Sequence, residues 1–180
     1  MNRIWVLMIA GVVLVSVGIA FFWVEESKAR VALIPIEGEI SFGNYKTDPT
    51  NVRDVIDKAD NDMGIDAIVF LINSPGGSVV ASKEIAAAIK GVNKPTICWM
   101  GDVAASGAYW IASACDEIVA DPLTITGSIG VSSSYLEFSE LMERYGVEYQ
   151  RLVTGKYKDI GSPYRNLTDE EREILMEKLN

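Results

Sequence analysis

The chain has 180 residues, 49% of them apolar, with 16 Lys and Arg against 25 Asp and Glu and no histidine. The length suits one domain with an appendage, and the absence of histidine excludes a Ser-His-Asp triad, a Cys-His pair and histidine-built zinc hydrolases. With Arg3, Lys28, Arg30, Glu25 and Glu26 set aside, the rest carries 13 basic and 23 acidic residues, a net −10, which argues against nucleic acid as a partner and against lying flat on anionic lipid.

Residues 4–24 form a run of 21 without a charge. At about 1.5 Å per residue a helix of this run is roughly 31 Å long, enough to cross a bilayer core. Trp5 and Trp23 stand near its ends, where amphipathic rings favour the interface. The run exceeds the apolar segment of a cleaved signal peptide, and no small-x-small cleavage site follows it. The expectation is an uncleaved single-pass anchor with a short linker over residues 1–30, and a second domain over 31–180. Arg3 flanks one side and Lys28 and Arg30 the other, so charge does not choose the orientation.

Val31–Ile36 reads as a strand, and Pro35 marks it as an edge or irregular one. Residues 41–50, with Gly43 and Pro49, read as a loop. Residues 51–62 read as a helix with Val52, Val55, Ile56 and Ala59 on one face. Residues 65–72 are apolar except for Asp66 and read as a buried parallel strand, which ends at the turn cluster Asn73-Ser-Pro-Gly-Gly77. A helix over 79–90, a strand over 96–100, a short helix over 104–114 and a strand over 117–120 follow. Residues 122–130 form a turn-rich loop. A helix over 136–145 closes at Gly146, residues 147–153 read as a strand, and Thr168 with Glu171 forms a capping box that opens the last helix.

This alternation predicts an α/β fold with helices covering a largely parallel sheet. Sites in such folds gather at the carboxyl ends of strands. The three Gly- and Ser-rich loops all follow predicted strands, so they are expected to meet on one rim. Cys98 and Cys115 lie in apolar stretches and read as buried free thiols. Their spacing suggests no metal site.

Without histidine, a serine hydrolase needs another base, and lysine is the usual substitute. A free lysine has a pKa of about 10.4, so about four in ten thousand are neutral at pH 7. Bringing it near 7 costs about 4 kcal/mol, which burial can supply. Lys156 and Lys158 follow the predicted strand 147–153, at the end where a site would form, and spacing does not choose between them. Ser106, in Gly101-Asp-Val-Ala-Ala-Ser-Gly-Ala-Tyr109, sits among small residues where a helix begins. It is a candidate nucleophile, and equally a serine N-cap. Gly76 and Gly77 can turn backbone N–H groups outward as an oxyanion hole. Ser128, in Thr126-Gly-Ser-Ile-Gly130, can hydrogen-bond a neutral lysine.

Ile72-Asn-Ser-Pro-Gly-Gly77, Ala105-Ser-Gly-Ala-Tyr-Trp-Ile111, Thr126-Gly-Ser-Ile-Gly-Val131 and Gly155-Lys-Tyr-Lys-Asp159 together resemble the signal peptide peptidase A family of S49-type serine peptidases, in order and in separation. That family is related to the Clp protease and crotonase fold. The resemblance covers roughly residues 31–165. It implies Ser106 as nucleophile, Lys158 as general base, Ser128 as the residue that orients the lysine, and Gly76 or Gly77 with Gly107 as the oxyanion hole. It implies no metal or other cofactor. It further implies a single-pass protein of the cell membrane with an extracytoplasmic catalytic domain, homo-oligomeric assembly, and signal-peptide remnants and other apolar peptides as substrates. Gly107-Ala108 departs from the Gly-Gly that many members carry there. The last helix runs in phase to the final residues, so the domain is expected to be truncated at its C-terminus. The alternatives are a stomatin-associated NfeD-type Ser-Lys peptidase, or a scaffold silenced by truncation; crotonase-like acyl-CoA chemistry shares only the fold.

Overall fold

The computed structural model describes residues 3–26, 29–43 and 45–179, with side chains described at Trp5, over 8–19 and from 29 onward within those ranges. The chain forms two compact units, Met1–Ser128 and Ile129–Asn180.

The first unit opens with helix α1, Arg3–Glu26, which carries the apolar run. Met8–Ile19, the continuous stretch with described side chains, spans about 18 Å as a helix, short of the roughly 30 Å of a bilayer core. Among the described residues no helix is long and apolar enough to cross a membrane. The side chains at 4, 6, 7 and 20–24, on which the expected anchor also depends, lie outside the described set.

Strand β1 (Val31–Glu37), helix α2 (Pro49–Asn61), strand β2 (Ala67–Ser74), helix α3 (Val79–Lys90), strand β3 (Thr96–Ala105), helix α4 (Gly107–Ala112) and strands β4 (Glu117–Ala120) and β5 (Ile125–Gly127) complete this unit. The sheet is parallel in the order β1-β2-β3-β4, with β5 also on β3. Pro35 therefore lies on an edge strand, where its missing N–H costs no ladder bond. Helix α2 starts two residues earlier than expected, because Asp48 accepts from Thr50 N at 2.8 Å and Pro49 takes the first helical position.

The core lies on one face of the sheet. Ile34 and Ile36 of β1, Ile68, Phe70 and Ile72 of β2, and Cys98 and Met100 of β3 pack against Ile56 of α2, Ile85 and Ile89 of α3, and Ile111 of α4. The alternate positions Val69, Leu71, Ile97, Trp99 and Val119 line a groove on the opposite face. Strand β2 thus keeps one buried face rather than two, and its apolar run has a strand's period of two in burial.

Strand β3 outruns its expected end at 100. Beyond Met100 the register with β2 shifts, Val103 N donates to Asn73 Oδ1 at 3.2 Å, and Val103–Ala105 pair with Ile125–Gly127. The first half of β3 thus pairs with β4 and the second half with β5, which brings part of the expected 122–130 loop into the sheet.

The second unit contains helices α5, Ser139–Arg144, and α6, Asp169–Leu179. The capping box of α6 forms as expected: Glu171 N donates to Thr168 Oγ1 at 3.2 Å, and Thr168 N to Glu171 Oε2 at 3.0 Å. The strand expected over 147–153 is absent. Those residues are exposed, Leu152 at 94%, and no neighbouring strand pairs with them.

Phe70 is fully buried on the central strand β2. Phe70→Ala is expected to lower unfolding stability by about 3–5 kcal/mol, measured by urea denaturation followed by circular dichroism.

Candidate active site

Three backbone segments converge at the carboxyl ends of β2, β3 and β5, all within the first unit. Ser106 is the residue between β3 and α4, with φ 54° and ψ −123°. Among the described residues only Ser106 and Ser128 combine a side chain beyond glycine with a positive φ. Such backbone costs on the order of 1–3 kcal/mol and persists where its surroundings over-determine it. Here Ser106 N donates to Gly127 O at 2.8 Å, and Trp110 N donates to Ser106 O at 3.1 Å. The Ser106 side chain makes no capping hydrogen bond, so the hydroxyl is not used as an N-cap.

Close approach dictates the glycines. A β-carbon on Gly76 would sit 2.8 Å from Gly107 N and 2.9 Å from Ser106 Cβ. One on Gly107 would sit 2.2 Å from Ser82 Oγ and 3.6 Å from Gly77 N. The Pro-Gly-Gly turn therefore lies directly against the Ser106 turn. Ile40 secures its other side, with Ile40 N donating to Gly76 O at 3.0 Å and Ser78 N to Ile40 O at 2.8 Å.

The two turn glycines differ in what their N–H groups do. Gly76 is buried and donates to Ser74 Oγ at 3.1 Å, while Ser74 Oγ donates to Gly38 O at 2.6 Å. Gly77 is exposed, and among the described residues neither its N–H nor that of Gly107 has a partner. Sequence reasoning missed Ser74, which reads as one more turn residue, and Ser82 of α3, whose fully buried hydroxyl has no partner.

Ser128 is exposed at the end of the first unit, next to Gly127. Lys158 belongs to the second unit and is exposed in the Gly155–Gly161 turn, where Lys158 N donates to Gly155 O at 3.4 Å, so its own unit does not supply the burial expected of a lysine base. Lys156 pairs with Glu170 at 2.6 Å. That bond favours its charged form and raises it above the ordinary lysine value. The two lysines left open by spacing are thus distinguished: one is engaged by a carboxylate, and Lys158 has no ion pair among the described residues. Cys98 is buried and Cys115 half-buried, both as free thiols. A hydrogen bond to Cys98 pushes the Cys115 thiol up from its ordinary value.

Near Lys158, Arg165 donates to both Asp159 and Glu171. Glu171 is held down at about 2, first by the Arg165 bond and then by Thr168 N–H. Arg151 and then Arg165 hold Asp159 well below the usual carboxylate range.

A strand-end serine on a parallel α/β sheet, pressed against a Gly-Gly turn, is the arrangement of a Clp-like serine peptidase domain. The family model described as Clp protease matches residues 50–120, and that of peptidase family S49 matches residues 88–180. The chain belongs to peptidase family S49. It is 35% identical to the putative protease MJ0651 of Methanocaldococcus jannaschii, over 80% of this chain and 47% of that protein. It is 32% identical to a putative signal peptide peptidase SppA of Enterococcus faecium, over 84% of this chain and 47% of that protein. The chain spans less than half the length of these curated relatives. Among solved structures, the 1510-N membrane protease specific for a stomatin homolog from Pyrococcus horikoshii matches with 25% identity and a TM-score of 0.44, over 66% of this chain and 55% of that one.

Gly107→Ala should destabilise the first unit by about 1–3 kcal/mol, because the new methyl meets a buried serine on a packed helix. Chemical denaturation of both forms checks this.

A second expectation concerns acid. A carboxylate whose folded pKa is depressed adds stability above its unfolded value and loses it as pH falls toward the folded one. For Glu171 that window runs from 4.5 down to about 2. Amide exchange in α6 should stay slow above about pH 5 and quicken, after correction for intrinsic rates, as pH falls through this window.

Proposed function

We propose that this protein is a membrane-anchored serine endopeptidase that works by a Ser106–Lys158 dyad. The observation that carries the reading is the Ser106 turn. Among the described residues, the one that the motifs single out is also one of two strained non-glycine positions, its hydroxyl is not used as a cap, and two N–H groups without a partner stand beside it.

Neutral Lys158 takes the Ser106 hydroxyl proton as Oγ attacks a peptide carbonyl carbon. The carbonyl electrons move onto oxygen, where the N–H groups of Gly77 and Gly107 stabilise the charge. Gly77 is preferred to Gly76 because the Gly76 N–H is already bonded to Ser74. Collapse of the intermediate breaks the C–N bond, and Lys158 passes its proton to the leaving amine. Water then adds to the acyl-enzyme by the same route in reverse and frees Ser106. Ser128 orients the lysine, and no metal or organic cofactor enters.

The apolar run over 4–24 supports an anchor in the cell membrane, and the extracytoplasmic side of the catalytic domain follows from the family resemblance rather than from the flanking charges. Substrates are cleaved signal peptides and similar apolar peptides, and the working form is a homo-oligomer. The likeness to a putative signal peptide peptidase supports this substrate class.

Labelling with a fluorophosphonate probe in detergent, near pH 8, tests the dyad. The full chain should label once, at Ser106. Ser106→Ala should abolish labelling, and Lys158→Ala should slow it by about 10²- to 10⁴-fold, with circular dichroism unchanged in both. A folded wild type that fails to label, or a label at another serine, would overturn the reading.

A further inference from the structure

The second unit has no buried apolar side chain among the described residues; Glu171, at 3% exposure, is its one buried residue. A unit without an apolar core takes its shape from directional polar contacts. Those contacts centre on Arg165. Its Nε and Nη2 donate to Asp159 Oδ2 at 3.0 Å and Oδ1 at 3.1 Å. Its Nη1 and Nη2 donate to Glu171 Oε2 at 2.8 Å and Oε1 at 2.6 Å. Arg151 grips Asp159 in the same two-point way, at 2.7 Å and 2.7 Å.

These contacts bracket Lys158. Immediately before it, the Lys156 and Tyr157 side chains both donate to Glu170. Immediately after it, Asp159 is tied through Arg165 to Glu171. Glu170 and Glu171 are neighbours in the first turn of α6. The turn is thus pinned on both sides of Lys158 to one helix end, while the Lys158 side chain has no hydrogen bond or ion pair among the described residues.

We propose that Arg165, acting through Asp159 and Glu171, is the positioning residue for Lys158. The proposal rests on Lys158 being the general base. A base must come within hydrogen-bond reach of the proton it takes, and a four-carbon stem with no tether of its own depends on where its backbone is held. Arg165 does this with two forks of opposite direction, one to the lysine's neighbour and one to the helix. A lysine at 165 could not make both, since an ammonium lacks the planar fork. The two arginines also occupy both Asp159 oxygens. That keeps this carboxylate from pairing with the adjacent Lys158 and tethering its side chain.

The test uses the full chain in detergent with a fluorogenic apolar peptide, comparing wild type, Arg165→Gln, Arg165→Lys, Lys158→Ala and the double variant Lys158→Ala/Arg165→Gln. Arg165→Gln should lower kcat about 10- to 100-fold with KM held within about twofold, the signature of a displaced base rather than lost substrate binding. In the Lys158→Ala background the same change should cost nothing further, because the lysine it positions is gone. Hydrogen exchange over residues 155–161 should quicken in Arg165→Gln. If that variant fails to fold, Arg165→Lys keeps the charge and should show the same kcat loss in a folded protein. Wild-type kcat in a folded position-165 variant, unchanged exchange over 155–161, or an equal loss in the Lys158→Ala background would each overturn the proposal. Wild-type kcat in Lys158→Ala would instead sink the base assignment, and the positioning role with it.

Discussion

The rim of the first unit depends on backbone approaching backbone at contact distance. Ser106 is forced to a positive φ because β3 must turn into α4 within one residue, with its N–H bonded to β5 and its carbonyl already in the helix. That turn fits only if Gly76 presents no side chain toward Ser106 and Gly107 none toward Ser82. The strain at Ser106 is offset by the buried elements on either side, where Ala104, Ala108 and Ile111 are fully enclosed. The unpaired N–H groups of Gly77 and Gly107 follow from the same crowding, since no carbonyl of the described chain bonds to them.

The two units are stabilised by different physics. The first buries a continuous apolar face of the sheet under α2, α3 and α4, the usual way an α/β domain reaches stability. The second contains Glu171 as its one buried described residue and organises itself around Arg165. Apolar packing is indifferent to modest acid, whereas a network of depressed carboxylates is not. A serine on a packed sheet and a lysine on a polar turn therefore respond differently to the medium. For a family S49 peptidase the proposed nucleophile then lies in the unit with the apolar core and the proposed base in the unit held by ion pairs.

The local alphabet of the sequence determined a good deal. The helix over 79–90 and the capping box at Thr168 are where composition and periodicity put them, because the bonds that make them span a few residues. The absence of histidine narrowed the chemistry before any fold was known. The motif residues Ser106 and Ser128 coincide with the two positive-φ non-glycine positions among the described residues, since a turn that tolerates such backbone is written in its glycine neighbours.

Tertiary structure decided what depends on partners far away in the chain. Residues 147–153 have the pattern of a strand, but a strand exists only where another accepts its hydrogen bonds, and none does. Strand β3 runs on to Ala105 because β5, some twenty residues later, pairs with its second half. Two adjacent glycines look alike in sequence, yet Ser74 Oγ, held by its bond to Gly38 O on the neighbouring strand end, takes the N–H of Gly76 and not that of Gly77. Propensity and spacing act over a turn or two of chain, whereas the pairing of strands is settled only when distant segments meet.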